Sequence, residues 1–304
     1  MAVVICYVVC AVVWSTTWFA IRVCIAAGGY PTYSAAALRF TLAAVILLAA
    51  LLVGLGRPLP RSRRQLVALA VAGLLNAFAY ACVYRAEEDL PGGVVAVLFG
   101  TYPLFTALGA SATSTEHVRP VDIGAALLSL VGMAILFWDR LSVSPDQAAG
   151  IAFVIAGVLA TVGYNLIFKR EANDVNPLSW TAAFIAVAAL CLWPVALAEG
   201  ADPVPAPLPL APTLALLYLA VFGSVIAFVC YFYLLRRVTL MTASTLVLIE
   251  PVIALGVDAL WEHEVRLVAR SYVGAAVTTA GVVVCMTWKW RAGRNARAAG
   301  RPPA

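Results

Sequence analysis

Long apolar runs recur along the chain, separated by short polar breaks. A hydrocarbon core about 30 Å thick needs about 20 helical residues to cross it. Runs of that size fall at 2–21, 32–55, 65–84, 91–113, 119–138, 148–168, 177–198, 210–235, 239–261 and 271–290, which predicts ten transmembrane helices. The pattern also says one thing twice. The run from Leu90 to Leu108 has Pro103 in its interior, and the run from Leu240 to Leu260 has Pro251, 148 residues later. Each is followed by a charged break with a Glu-His pair (Glu116-His117, Glu262-His263) and then by a Gly-bearing apolar helix. Five spans per half is an odd number, so the second half enters the membrane upside down relative to the first. The expected fold is therefore all-α and integral to the membrane. Residues 1–147 form one five-helix repeat and 148–290 its inverted copy. Matched, proline-interrupted helices in two such halves point to a secondary transporter working by alternating access.

Composition excludes a soluble protein, since 63% of the 304 residues are hydrophobic and only 12% charged. The net charge of +5 is modest. Its basic residues sit beside hydrophobic spans, unlike a nucleic-acid footprint. With a cytoplasmic amino terminus, fourteen of the twenty Lys and Arg fall in inside segments, among them Arg57 to Arg64, Lys169, Arg170 and the residues after Lys289. Five fall outside (Arg22, Arg85, Arg140, Arg266, Arg270), and Arg39 lies within a span. The positive-inside rule then places both termini in the cytoplasm of a cell-membrane protein. The opening Met1-Ala2-Val3-Val4-Ile5 reads as a first membrane helix rather than a secretory signal. The five prolines between Ala201 and Pro212 predict a stiff external loop, and the basic tail 291–304 a disordered segment drawn to anionic headgroups. Seven cysteines in or beside apolar runs, with no Cys-x-x-Cys, read as small packing residues.

Charge inside a span is costly and marks function by default. Arg39 is eight residues into the second span and Glu250 about eleven into the ninth. At about 1.5 Å per residue these depths nearly coincide. The two are expected to face one central cavity, paired either with each other or with substrate. Pro103 and Pro251 each free a backbone carbonyl, which suits hinge or cavity-lining roles. Asn76, Tyr80 and Tyr84 share a face of the third span, and Trp14 and Trp18 one of the first, with Thr17 between. Thr161 and Asn165 share a face of the sixth, with Tyr164 beside them. Lipid gives such faces no partner, so they are expected to line an interior together with Tyr102, although an interfacial aromatic belt fits Tyr84 and Tyr7. Gly92, Ala96 and Gly100, and Gly274 with Thr278, have the spacing of close helix contacts.

The chain resembles an EamA-type member of the drug/metabolite transporter superfamily. The resemblance rests on Trp14-Ser15-Thr16-Thr17-Trp18-Phe19-Ala20-Ile21-Arg22, Leu38-Arg39-Phe40, Leu90-Pro91-Gly92-Gly93 leading to Pro103-Leu104, and Glu250-Pro251-Val252 leading to Glu264 and Gly274. It implies a ten-helix carrier exporting amino acids, other metabolites or drugs through a cavity between the halves. The expected partners are a small-molecule substrate, the bilayer and protons as coupling ion. No cofactor, metal or nucleic acid is expected, and a monomer suffices. Two other readings stay open: import of a small metabolite, and a membrane-embedded lipid-modifying enzyme using Mg²⁺ at Glu87-Glu88-Asp89, against which stands the reading of that cluster as a solvated loop.

Overall fold

The computed structural model describes residues 1–55, 62–90, 92–138, 147–172, 174–261 and 269–298. Helices follow one another as α1 (Ala2–Ile25), α2 (Thr32–Leu52), α3 (Arg63–Asp89), α4 (Gly92–Phe99), α5 (Tyr102–Ala112), α6 (Pro120–Leu136), α7 (Ala148–Glu171) and α8 (Pro177–Ala198). Then come α9 (Leu210–Tyr218), a π-helical stretch (Leu219–Ile226), α10 (Ala227–Leu235), α11 (Leu240–Trp261) and α12 (Ala269–Ala298). Among the described residues, seven helical segments are long and apolar enough to cross a membrane. Pro120–Leu136, Leu240–Ile253 and Arg270–Cys285 are shorter apolar helices. Pro91 and Glu262-His263-Glu264 lie outside the described residues.

Three elements differ from the sequence expectation. The fourth apolar run is two helices, because Pro103 at the head of α5 cannot donate to the preceding turn and the chain breaks at Gly100-Thr101. Pro251, its counterpart, sits inside an unbroken α11. Helix α12 runs on to Ala298, into the stretch expected to be disordered.

Helix ends need partners where water is scarce, and distant residues supply them. The Glu199 carboxylate, at the end of α8, accepts from the Tyr33 and Ser34 amides in the first turn of α2. Glu116 accepts from the Leu240 amide at the head of α11, at 2.7 and 2.9 Å. The Lys169 ammonium donates to the carbonyls of Leu235 and Val238 just past α10, at 2.8 and 2.7 Å. Helices α6 and α12 approach closely, with Gly132 against Thr278 and Gly274 against Leu136. Across that contact the Ser129 hydroxyl donates to the Thr278 carbonyl at 3.0 Å.

Most contacts between 1–138 and 148–298 follow one rule, with the α6–α11 contact standing outside it. Helix α1 packs on the α9–α10 run and α11, while α3, α4 and α5 pack on α7; α2 packs on α8, α5 on α11 and α6 on α12. Exchanging the two segments, span for span, leaves these pairings unchanged.

Candidate functional site

A cavity with ≈ 90 Å³ of space for the centre of a water molecule opens where α1, α2, α3, α5, α7, α10 and α11 converge. Nine of the residues singled out from sequence line it: Trp14, Thr17 and Trp18 from α1, Arg39 from α2 and Tyr80 from α3, joined by Tyr102 from α5, Thr161 and Tyr164 from α7 and Glu250 from α11. A helix face repeats every three to four residues, so alternating apolar bulk with one polar residue per turn aims these groups at a common point.

Arg39 and Glu250 both face the cavity, but no ion pair joins them among the described residues. The Arg39 guanidinium is held otherwise: Nε donates to the Ser224 hydroxyl at 2.9 Å, Nη2 to the Gly223 carbonyl at 3.3 Å and Nη1 to the Tyr84 hydroxyl at 3.5 Å. Its charge also lies 4.9 Å from the Tyr80 ring centroid and 5.5 Å from that of Phe40, within cation–π range. Both Gly223 and Ser224 belong to the π-helical stretch, and the Gly223 carbonyl accepts from Arg39 and, also at 3.3 Å, from the Trp14 indole. The space beside it is tight, since a Cβ would stand 3.0 Å from Thr17 Cγ2 and 3.1 Å from Arg39 Nη2.

Glu250 is 4% exposed, and its Oε1 has no partner among the described residues. A buried carboxylate oxygen without a donor is costly. It is the polar group of the cavity most available to an incoming molecule.

Asn76 and Asn165 do not line the cavity. Asn165 stands behind it, donating to the Tyr102 hydroxyl at 2.9 Å and to the Thr161 carbonyl. Asn76 is fully buried with neither amide atom paired among the described residues. The aromatic-belt reading of Tyr84 and Tyr7 is corrected, because Tyr84 is fully buried against Arg39 and the Tyr7 hydroxyl bonds Thr245 at 2.8 Å. The solvated-loop reading of Glu87-Glu88-Asp89 is corrected too: all three belong to α3, and Glu87 is buried. Sequence reasoning missed Phe99, Phe228 and Tyr231, which wall the cavity. Trp14 packs 5.1 Å from Tyr231 and 5.6 Å from Phe228, centroid to centroid. All seven cysteines are free thiols.

The EamA-like transporter family matches this chain twice, over residues 1–138 and 148–287. The uncharacterized inner membrane transporter YedA of Escherichia coli (strain K12) is 29% identical over 245 residues, covering 80% of this chain and 77% of its own. A probable terminal-alkyne amino-acid exporter of Streptantibioticus cattleyicolor is 27% identical over 282 residues, covering 91% of each. Protein PagO of Salmonella typhimurium is 22% identical over 288 residues, covering 91% of this chain and 93% of its own. One solved crystal structure shares the fold, with a TM-score of 0.77 at 20% identity over 94% of this chain and 98% of that one. The chain belongs to the EamA-like transporter family of the drug/metabolite transporter superfamily. It is a multi-pass membrane transporter, not an enzyme.

Proposed function

We propose that the protein is a secondary transporter that exports small amphipathic metabolites, such as amino acids, or drugs, by alternating access through the central cavity. Its ten spans form two inverted five-helix repeats, 1–147 and 148–290, with both termini and the tail 291–304 cytoplasmic, and a monomer is the working unit. The observation that carries this reading is the cavity itself: helices from both halves reach it, and it holds an unpaired carboxylate oxygen on Glu250. The exchange-symmetric helix contacts support the inverted repeat, because a two-fold axis requires them. Export is favoured by the relative from Streptantibioticus cattleyicolor, whose name describes an amino-acid exporter.

The cavity residues take distinct roles in this proposal. Trp14, Thr17, Trp18, Tyr80, Tyr102 and Tyr164 offer rings and hydroxyls to the substrate, with Asn165 positioning the Tyr102 hydroxyl from behind. Arg39 holds the π-helical stretch in place and keeps a positive charge at the cavity wall. Glu250 carries the coupling proton, and Pro103 and Pro251 are the points at which α4–α5 and α11 bend.

The test compares metabolites inside and outside cells making the intact protein with cells making Glu250→Gln, by mass spectrometry. A compound enriched in the medium only with the intact protein supports export and names the substrate. Enrichment inside the cells reverses the direction. In proteoliposomes, Glu250→Gln is expected to abolish flux driven by a pH gradient; undiminished pH-driven flux removes Glu250 as the proton carrier.

A further inference from the structure

One carboxylate outside the cavity is unused so far. Glu87 lies in the last turns of α3, its side chain fully buried and both oxygens without a hydrogen-bond donor among the described residues. Its one ionic neighbour among the described residues is Arg22 in the last turn of α1, Nη1 to Oε2 3.8 Å, with the arginine two-fifths exposed. The residues around Glu87 are committed elsewhere. Arg85 pairs with Glu88 at 2.7 Å and with Asp89 at 2.9 Å, and Glu88 also accepts from the Thr32 hydroxyl at the head of α2. These contacts fix the end of α3 and leave Glu87 turned towards α1.

The place of this pair gives it meaning. Trp18 and Val83 line the cavity, and Arg22 and Glu87 are each four residues further along the same helices. Residues four apart on a helix lie one above the other, about 6 Å apart along the axis. The ion pair therefore spans α1 and α3 one turn beyond the cavity wall. A carboxylate kept dry with one long ionic contact and no hydrogen bond is poorly served in this conformation. Separating α1 from α3 would let water reach both charges.

We propose that Arg22 and Glu87 latch α1 to α3 at one mouth of the cavity, and that parting them opens the cavity on that side. Glu87 is a positioning residue acting through α1, and the idea rests on the alternating-access reading above. The chain holds its own reporter. Cys24 is fully buried, two residues past Arg22, on the face of α1 that carries the cavity residues Thr17 and Ile21. Cys285 is also buried but lies on α12 against Asp122, remote from the latch, and serves as an internal reference.

The experiment treats the purified full-length protein, in detergent so that both faces are reachable, with a charged maleimide and follows each cysteine peptide by mass spectrometry. In Arg22→Gln, which leaves the buried carboxylate without its cation, the Cys24 rate relative to Cys285 should rise about tenfold, whereas in Glu87→Gln, which removes the buried charge itself, it should stay at or below that of the intact protein. The double exchange Glu87→Arg with Arg22→Glu should bring the ratio back to within about threefold of the intact protein, because the attraction is restored with its ends reversed. Equal rises at Cys24 and Cys285 in all variants would show general loosening and overturn the latch. So would an unchanged Cys24 ratio in Arg22→Gln. Labelling does not depend on substrate, so a flat ratio beside intact export rejects the latch alone, whereas a gated Cys24 beside absent export rejects the exporter reading alone.

Discussion

Two glycines on α6 make opposite predictions. At Gly132 a Cβ would stand 2.3 Å from the Thr278 amide nitrogen and 2.5 Å from its hydroxyl, whereas ordinary contact begins at 3.4 Å. The neighbour is helix backbone and cannot rotate away, so Gly132→Ala must push α12 about 1 Å from α6. Overpacking of this kind costs about 1–3 kcal/mol, and the Ser129–Thr278 bonds that stretch with it add about 0.6 kcal/mol each by membrane-protein averages. Against this stands a gain of up to about 1 kcal/mol from replacing a helical glycine by alanine. At Gly124, eight residues earlier, nothing lies within 4 Å of the added methyl, so only the gain remains. The assay is thermal melting of the purified protein in one detergent, followed by intrinsic fluorescence. Gly132→Ala should melt several degrees below the parent at about 2–4 °C per kcal/mol, and Gly124→Ala at or above it. Equal midpoints, or the reverse order, would refute the backbone-contact account of the α6–α12 pair.

Arg39→Lys keeps the charge but loses the planar fork shared among Ser224, Gly223 and Tyr84; it should cost about 2 kcal/mol in melting experiments and reduce export more than Tyr84→Phe does. Gly223→Val should abolish export while the protein still inserts and purifies, since its side chain enters the space of Thr17 and Arg39; normal flux would separate the π-helical carbonyl from function. Lys169→Met leaves the Leu235 and Val238 carbonyls without their ammonium donor and should destabilise by about 1–3 kcal/mol, read as a lower melting midpoint.

The helices were legible because a bilayer imposes a length: each apolar run expected from the chain is helical over most of its described residues. Depth was legible too, since counting residues from the span ends brought Arg39 and Glu250 to one cavity. What counting could not supply is direction around each helix and the partner met there. Arg39 invites pairing with Glu250, the buried carboxylate at its depth, yet its donors go to two hydroxyls and to a carbonyl within the π-helical stretch. The only trace of that stretch in the sequence is Gly223-Ser224 inside an otherwise apolar run. Tyr231 and Phe228 went unnoticed because they sit in an aromatic-rich run with no polar neighbour to mark a face. Glu87 was read as part of a hydrated acidic cluster, since sequence cannot show that Arg85 engages two of the three acids and leaves the third facing inward.

Helices α6 and α12 meet backbone to backbone, yet among the described residues neither contributes to the cavity wall. Robustness and transport are thus lodged in different parts of the chain. Substitutions that tighten the α6–α12 seam or fill out its outer faces raise the temperature at which the protein survives without restraining the helices that must move. The usual exchange of activity for durability is relaxed here, and a hardened variant for purification and further structural work is best sought at this seam.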